Sequence, residues 1–409
     1  MKILKSMKKL TNLMFTCVLC AVPIVSFGTI SSDSNDENNY TYSYSKETSQ
    51  VQECNSRCEK SCKGLFTKLP KISGYLQTGW NYTNNDKTST SSFQAKRLRL
   101  LMDGRVNKNI DFRLQIEAFN GISGSKNGNG QKNLQVMDAF ATWKIAPEFK
   151  IRAGQFYTPL GYENYDISPS TLETVDFSNI VYRIACRNPY EYNFVDYGRD
   201  LGIIFMGDLG NSGKGFRYFH YDLALTNGSL PCSDDKNMSK DIYISATIRP
   251  IRNFNFKATY NYGEYTSNSL SGGKGMTGKA GSKYNPMNRF VAGMWYNDPK
   301  GLDLRAEFGL VSSKIENITH VDEKSAYILA AYHIGKFLPL VRWDMYKDGI
   351  NKSTAAANYN RMMLGVTYQL FKNAKVQLNW GHFMYPKDVE VANGYKTSEQ
   401  IQIMGLFNF

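Results

Sequence analysis

The sequence predicts an all-β fold, a transmembrane antiparallel β-barrel of about sixteen strands. Apolar and polar residues alternate in segments close to the roughly 9 to 11 residues that a tilted strand needs to cross a bilayer. The polar positions carry full charges, and the gaps between segments are alternately long and short. Beyond residue 28 no apolar run approaches the roughly 18 residues of a transmembrane helix, so the sequence excludes helical membrane spans.

The alternation is clearest in Ile110–Ala118, where every second residue is polar and the residues between are apolar. Similar runs are Ile242–Arg249, Phe254–Tyr262 and Leu302–Phe308. The polar positions hold Arg, Asp and Glu, which are costly to bury in a packed core. We therefore expect the polar face to meet water. A soluble β-sandwich also alternates, with its apolar face turned to a dry core, so the gap lengths discriminate better.

The gaps form a regular series along the chain. Long gaps fall near residues 83–92, 120–133, 158–198, 227–239, 266–286, 314–324, 347–358 and 384–397. Short gaps fall at residues 107–109, 146–148, 210–215, 251–253, 297–301, 335–336 and 371–374. This series predicts an even number of strands with both termini on the short-turn side. Short periplasmic turns and long extracellular loops are typical of outer-membrane barrels.

Aromatic residues are abundant, with 27 Tyr, 23 Phe and 5 Trp. Several lie beside the proposed short turns, where they would mark the membrane boundary: Trp143, Phe149, Phe254, Phe337 and Phe371. Aromatic residues are common in any strand, so this agreement is suggestive. The four His are scattered and form no recognisable catalytic arrangement. We predict no catalytic residues, no cofactor and no metal site.

The N-terminus resembles an export signal. Lys2, Lys5, Lys8 and Lys9 precede a mostly apolar stretch, which ends at a small-x-small site, Ser26-Phe27-Gly28. We predict a removed signal peptide over residues 1–28, with a retained anchor as the alternative. Lipidation of Cys20 is disfavoured because Leu19 precedes it. Residues 29–69 are polar and aperiodic, and we predict a periplasmic N-terminal extension there, followed by the barrel over residues 70–409.

Cys54, Cys58 and Cys62 lie four residues apart in the extension. A metal or cluster site is one interpretation of this spacing. Exported segments meet an oxidising compartment in which disulfides are the usual outcome, and no known zinc spacing fits. Cys186 and Cys232 fall in separate long loops and could pair, or each could be an unpaired thiol.

Several short motifs occur in order along the barrel region. Gly154–Gly161 reads GQFYTPLG, Gly198–Gly202 reads GRDLG, and compatible stretches follow at Pro339–Asp344, Leu364–Tyr368 and Val376–Trp380. Together they resemble the phosphate-selective porin O and P family over roughly residues 72 to 409. The resemblance implies a sixteen-stranded outer-membrane porin, usually trimeric, whose third long loop folds into the lumen and narrows the pore.

The alternation also predicts which charges line the lumen. The inward cations are Arg97, Arg99, Arg113, Lys144, Lys150, Arg152, Arg249, Lys257, Arg305 and Lys375. The acids that oppose them are Asp111, Glu117, Asp138, Asp303 and Glu307. A wall with excess cations concentrates anions. Arg97 and Arg99 are the first candidates for an anion-binding rung because guanidinium donors suit phosphate and carboxylate. A register error of one residue would reverse a whole strand.

The third loop supplies Arg183 and Arg187 as constriction residues, with Arg199 at its end. The loop's acids are more numerous: Glu163, Asp166, Glu173, Asp176, Glu191 and Asp196. This net negative loop departs from phosphate-specific relatives, which place several Arg there, and it weighs against phosphate selectivity. The loop's many Tyr could stack on solutes, although packing the loop to the barrel is the commoner use.

We therefore expect a porin in the outer membrane of a Gram-negative bacterium. It would allow passive diffusion of small hydrophilic solutes and prefer anions, such as phosphate. Expected partners are outer-membrane lipid, small anions or other small solutes, and two further copies in a homotrimer, with no nucleic acid. Two alternatives are an outer-membrane barrel enzyme built around the inward His220, and a secreted soluble β-sandwich that binds glycans. Dependence on detergent and single-channel conductance would separate these classes.

Overall fold

The computed structural model describes residues 69–118, 134–186, 198–228, 232, 239–264, 286–315, 318–349, 355 and 358–409. The proposed signal peptide and nearly all of the N-terminal extension, with Cys54, Cys58 and Cys62, lie outside the described residues. Those domain boundaries therefore stay predictions. The first strand begins at Lys71, next to the boundary that the sequence predicts for the barrel.

Sixteen antiparallel strands follow one another along the described residues. They are β1 (Lys71–Asn85), β2 (Ser89–Asn107), β3 (Ile110–Glu117), β4 (Gln135–Ala146), β5 (Phe149–Tyr157), β6 (Arg199–Asn211), β7 (Arg217–Thr226), β8 (Asp241–Ile251), β9 (Phe254–Glu264), β10 (Pro286–Asn297), β11 (Leu302–Ile315), β12 (Ile318–Tyr332), β13 (Phe337–Lys347), β14 (Asn358–Phe371), β15 (Ala374–Met384) and β16 (Thr397–Asn408). Each strand pairs with its neighbours in the chain, and β1 pairs with β16, which closes the barrel. The predicted fold class is confirmed.

The first and last strands meet at the closing seam. The Gly74 amide donates to the Phe409 carbonyl at 2.8 Å, and the Phe409 amide donates to the Gly74 carbonyl at 2.9 Å. A closed barrel leaves no unpaired strand edge, which is a requirement for a sheet that spans a membrane. The terminal Phe therefore belongs to the closing hydrogen-bond ladder.

The two faces of the strands differ as the alternation predicts. In β9 the Phe256 side chain is 42% exposed on the outer face, whereas Lys257 beside it is 3% exposed on the inner face. Aromatic residues beside the short turns are also exposed outward, with Phe371 at 71% and Trp143 at 50%. The outer face is thus an apolar band with aromatic rings at one border, as expected for contact with lipid.

All seven predicted short turns connect strands, but two predicted long loops are wrong. β1 ends at Asn85 and β2 begins at Ser89, so residues 83–92 form a tight hairpin. Likewise, β11 extends to Ile315 and β12 begins at Ile318, within the predicted loop of residues 314–324. The first hairpin is polar, and its turn is capped by the Asn85 side chain, which accepts the Lys87 and Thr88 amides at 3.0 and 2.8 Å. Polar residues can extend a strand where both faces meet water, and such an extension resembles a loop in the sequence.

Short helical elements lie in two of the long loops. Helix α1 (Tyr162–Tyr165) and a π-helical stretch (Ile180–Ala185) lie between β5 and β6, and helix α2 (Lys387–Asn393) lies between β15 and β16. Among the described residues, no helix has the length and apolar character needed to cross a membrane.

Candidate functional site

The chain between β5 and β6 folds into the barrel. We call its described part, residues 158–186, the inserted segment. It contacts inward side chains from widely separated strands: Arg97 of β2, Asp222 of β7, Lys257 of β9, Arg289 of β10 and Arg342 of β13. Only a segment inside the barrel can contact the inner face of all these strands. That the third loop narrows the pore stays a prediction.

The inserted segment begins at a carboxylate on the wall. Gly161 has φ 80°, and a Cβ atom there would lie 3.0 Å from Glu307 Oε1, so the turn favours glycine. Glu307 on β11 accepts the backbone amides of Tyr162 at 2.6 Å and Glu163 at 3.1 Å, together with the Tyr327 hydroxyl at 2.7 Å. Amides at the start of a helix need external acceptors, and Glu307 supplies them for α1.

Further along, wall side chains hold the peptide backbone itself. The Leu172 carbonyl accepts hydrogen bonds from Lys375 at 2.7 Å and Gln377 at 2.9 Å. The Glu173 carbonyl accepts from Thr367 at 2.9 Å and from Gln377 at 3.0 Å. The predicted lumen cation Lys375 therefore binds the inserted segment, and its ammonium group is buried there.

Arg342 on β13 is the most extensively bonded of these anchors. Its guanidinium donates to the Asp176 carbonyl at 3.1 Å, the Phe177 carbonyl at 3.0 Å and the Thr174 hydroxyl at 3.1 Å. The same group pairs with Asp344 at 2.8 Å, and both side chains are fully buried. A buried cation needs this degree of pairing to offset its desolvation.

Asp176 links the inserted segment to β2 and β16. It pairs with Lys96 and accepts a hydrogen bond from Gln402 at 2.7 Å. Burial raises the pKa of Asp176, but Lys96 and Arg97 outweigh burial and hold the pKa below its ordinary value. Asp176 is therefore an anion that neutralises wall cations.

The proposed anion-binding rung consists of two buried guanidiniums. Arg99 pairs with Glu117 at 2.8 Å and is 2% exposed. Arg97 donates to Gln77, and to the Val175 carbonyl at 3.3 Å. Both residues face inward as predicted. Arg97 is bonded within the protein, whereas Nη1 of Arg99 is buried without a hydrogen-bond partner among the described residues. Binding of a solute anion by either residue stays a prediction.

Other predicted cations are also paired. Arg199 pairs with Asp138 at 2.6 Å, Lys257 with Asp166 at 2.7 Å, and Arg305 with Glu173. Arg183 lies with its guanidinium carbon 5.3 Å from the Tyr346 ring centroid. Arg187 lies outside the described residues. Cys186 and Cys232 are not joined to each other in a disulfide.

A second group of cations lies near the short-turn end of the wall and is accessible to water. We call Arg105, Arg113, Lys144, Lys150, Arg152 and Arg249 the exposed basic wall. Their acidic partners are Asp103 for Arg113, Asp111 for Arg105 and Lys144, and Asp208 for Lys150 and Arg249. Lys144 and Lys150 are direct cross-strand neighbours. Like charges in that arrangement repel each other and lower the stability of the barrel, but they also raise the local positive potential.

Arg152 differs from the other members of the exposed basic wall. Its Nε donates to the Thr142 hydroxyl at 3.1 Å, and its guanidinium carbon lies 4.3 Å from the Phe140 ring centroid. Within the described part of the chain, no carboxylate forms an ion pair with it. Its remaining donors are thus available to a solute.

His220 faces inward, as the sequence predicts, and lies between two carboxylates. Its Nδ1 is 2.9 Å from Asp208 and its Nε2 is 3.2 Å from Asp222. Asp222 also accepts the hydroxyl of Tyr165 in the inserted segment at 3.1 Å. The described residues contain no group of three or more His, Cys, Asp or Glu side chains suited to a metal ion.

Residues 74–192, which include the inserted segment and most of its approach, match the model of the family described as phosphate-selective porin O and P. The match covers less than a third of the chain. The match and the barrel fold support an outer-membrane channel for small solutes in a Gram-negative bacterium. The family resemblance seen in the sequence is confirmed.

The barrel of this chain is similar to those of several solved structures. An anion-selective porin from Comamonas acidovorans has a TM-score of 0.58 at 12% identity, over 83% of this chain and 99% of that chain. OmpF of Salmonella typhi, in complex with daunomycin, has a TM-score of 0.59 at 15% identity, over 83% and 97%. OprB of Pseudomonas putida has a TM-score of 0.59 at 10% identity, over 86% and 97%. No curated protein matches the chain.

Sequence reasoning missed some important residues of the inner wall. Asp208, which binds Lys150, Arg249 and His220, was not assigned to the wall. Side chains on a strand alternate between its two faces, so Asp208 lies on the same face of β6 as Asp200. This alternation would have predicted that Asp208 faces inward. The sequence analysis named Arg342 only as part of a family motif. Arg342 and Asp344 lie two residues apart on β13, a spacing that places both side chains on the same, inward face.

Proposed function

We propose that this protein is an outer-membrane porin, a passive, weakly anion-preferring diffusion channel for small hydrophilic solutes. The exposed basic wall carries six cations against three carboxylates, Asp103, Asp111 and Asp208, among the described residues. The cations of this set thus exceed their own carboxylate partners by three positive charges. A narrow passage with low-dielectric walls focuses such a field, concentrates anions and repels cations.

The single observation that carries the proposal is the state of Arg152. It is an inward guanidinium without a carboxylate partner in the described residues, and it lies among other water-accessible cations. Forked guanidinium donors suit the oxygens of phosphate and carboxylate. We place the first anion contact at Arg152, and assign Arg97, Arg99, Lys257 and Arg305 to electrostatic support of the wall. The family match over residues 74–192 and the anion-selective Comamonas acidovorans neighbour support the same preference.

In this proposal, the inserted segment narrows the channel and directs solutes along the exposed basic wall. Arg183 and Arg187 would contribute to the constriction, and the acids of the segment would limit selectivity for phosphate over other anions. We also propose a homotrimer, since a similar structure, OmpT of Vibrio cholerae, is described in a trimer form. Native mass spectrometry of the detergent-solubilised protein would measure the number of chains.

The test is a measurement of reversal potential in planar bilayers across a KCl gradient, with and without added phosphate. Wild-type protein is expected to give conductance steps and a reversal potential of the sign for anion preference. Arg152→Gln is expected to reduce that preference, because it removes one of the three excess positive charges of the exposed basic wall, and to weaken any inhibition of chloride current by phosphate.

Lys372→Gln is the matched control, since it removes the same charge from an exposed turn instead of the wall. It is expected to leave the reversal potential unchanged. Absence of conductance steps would contradict the channel assignment. A cation preference, or an equal effect of the two substitutions, would contradict the role of the exposed basic wall.

A further inference from the structure

A row of aromatic side chains crosses the inner wall at the long-loop end of the barrel. We call it the aromatic ladder, and it consists of Tyr346 on β13, Tyr359 on β14, Phe383 on β15, and Tyr385 and Tyr395 beyond it. Successive ring centroids are 6.4, 5.3, 6.5 and 5.5 Å apart. Five rings in contact over this distance form one continuous apolar strip.

The ladder faces the interior of the barrel. The Tyr359 hydroxyl donates to Asn179 of the inserted segment at 2.8 Å. Phe383 lies opposite Arg361 in the strand register, and the Arg361 guanidinium carbon is 5.4 Å from its ring centroid. Arg361 in turn pairs with Asp344 at 2.9 Å on the inner wall. These contacts place the rings on the water side of the strands, away from lipid.

The exposed fraction of the side chains rises along the ladder, from β13 to the loop after β15. Tyr346 is fully buried and Tyr359 is 9% exposed, whereas Phe383, Tyr385 and Tyr395 are half-buried. The buried end is fixed by packing, so the three outer rings are held in place and still present apolar surface to water. Rigid aromatic surface of this kind is typical of ligand sites, since little conformational entropy is lost on binding.

Uncharged hydrogen-bonding groups lie beside the outer rings. Ser398 bonds with the Tyr385 hydroxyl at 2.8 Å, and it faces Phe383 in the strand register. Gln400 donates to Asn81 at 3.2 Å on the adjoining β16 and β1 strands. Amide and hydroxyl side chains offer both donors and acceptors, which suits a ligand whose hydroxyl groups do both. This environment contrasts with the exposed basic wall, where the accessible groups are cations.

We propose that the aromatic ladder is a sugar-binding surface at the long-loop entrance of the channel. This inference rests on the proposed function in one respect, namely that solutes pass through the lumen. A sugar ring has an apolar C–H face that packs on aromatic rings and a rim of hydroxyls that hydrogen-bond to amides. The ladder and its neighbours Asn81, Ser398 and Gln400 provide both surfaces. An inorganic anion lacks the apolar face, and an acyclic polyol lacks a flat ring.

The test uses maltotriose as the probe and sorbitol as the acyclic control, added on the long-loop side of single channels in planar bilayers. Maltotriose is expected to produce concentration-dependent current interruptions, and sorbitol is expected to produce none. The double variant Phe383→Ala/Tyr385→Ala is expected to bind maltotriose at least tenfold more weakly. Met384→Ala, on the outward face of the same strand, is the matched control and is expected to bind as wild type. Heat-dependent gel migration checks that each variant has formed the barrel.

The outcomes separate this inference from the proposed function. Normal anion-preferring conductance without interruption by maltotriose overturns the sugar site and leaves the channel assignment intact. If wild-type protein gives no conductance, calorimetric titration of the detergent-solubilised full chain with maltotriose decides, and no measurable heat or saturation overturns the inference. Interruption by benzoate but not by maltotriose would assign the ladder to aromatic acids and would overturn the sugar class.

Discussion

Two sets of inward cations in this barrel have opposite environments. Arg342, Lys257 and their neighbours under the inserted segment are almost fully buried. Arg113 and Lys144 in the exposed basic wall have side chains that are 40% and 45% exposed. The alternation of the strands directs both sets inward in the same way. The difference comes from their partners: the first set binds the backbone and acids of the inserted segment, whereas the second set meets water.

This difference separates two roles for the same residue types. A buried cation whose partner is removed leaves an unpaired charge or donor, which is strongly destabilising. An exposed cation contributes little to stability but adds directly to the field in the channel. Substitutions in the first set should therefore change stability and conductance, and those in the second set should change ion preference.

The largest effect is expected for Arg342→Ala. It removes three hydrogen bonds to the inserted segment and leaves Asp344 with one guanidinium partner fewer. We expect a loss of about 3–5 kcal/mol in the free energy of unfolding, because a buried ion pair is broken. Urea titration in lipid vesicles measures this loss. Single-channel recordings should show larger or noisier conductance, because the segment is less firmly held.

Arg342→Lys is the matched variant for this prediction. It keeps the charge but loses the forked donors, so an intermediate loss of stability is expected. If both variants unfolded and conducted like wild type, Arg342 could not be an anchor of the inserted segment.

A smaller effect is expected for Glu307→Ala. The substitution leaves the amides of Tyr162 and Glu163 and the hydroxyl of Tyr327 without their common acceptor. Unsatisfied buried donors cost about 1–3 kcal/mol, measured by the same urea titration. Glu307→Gln retains one acceptor oxygen and should recover part of the loss. Equal destabilisation by the two variants would show that the carboxylate charge, and not the acceptor geometry, holds the start of the segment.

The sequence predicted the barrel well because the period of a strand is a local property. Strand number, the seven short turns and the inward direction of the charged residues all follow from alternation over about ten residues. The hairpins near residues 83–92 and 314–324 were the exceptions, since polar strand extensions have the composition of loops. Asn85 is an example. Its side chain caps the turn, but an Asn in the sequence does not by itself show how far the flanking strands extend.

The division of the inward cations could not be predicted in the same way. Arg342 and the Phe177 carbonyl that it binds are separated by 165 positions in the chain. Arg97 and Val175 are separated by 78. No local pattern encodes such contacts, so Arg97 and Arg152 looked equivalent in the sequence. Only the path of the inserted segment shows that Arg97 is buried and that Arg152 has no carboxylate partner among the described residues.

The smallest effect on stability, and the sharpest test of the comparison, is expected at Arg113 and Asp103. They form an exposed pair with an Nε to Oδ1 distance of 2.6 Å, so removing it should change the free energy of unfolding by about 0–1 kcal/mol. Arg113→Gln alone removes a positive charge from the exposed basic wall and should lower anion preference in reversal-potential measurements. The double variant with Asp103→Asn restores the net charge of the wall, and its reversal potential should return to the wild-type value. If the double variant kept the altered ion preference of the single variant, the net charge of the wall could not be the quantity that sets selectivity, and a specific contact of Arg113 with the permeating anion would have to replace it.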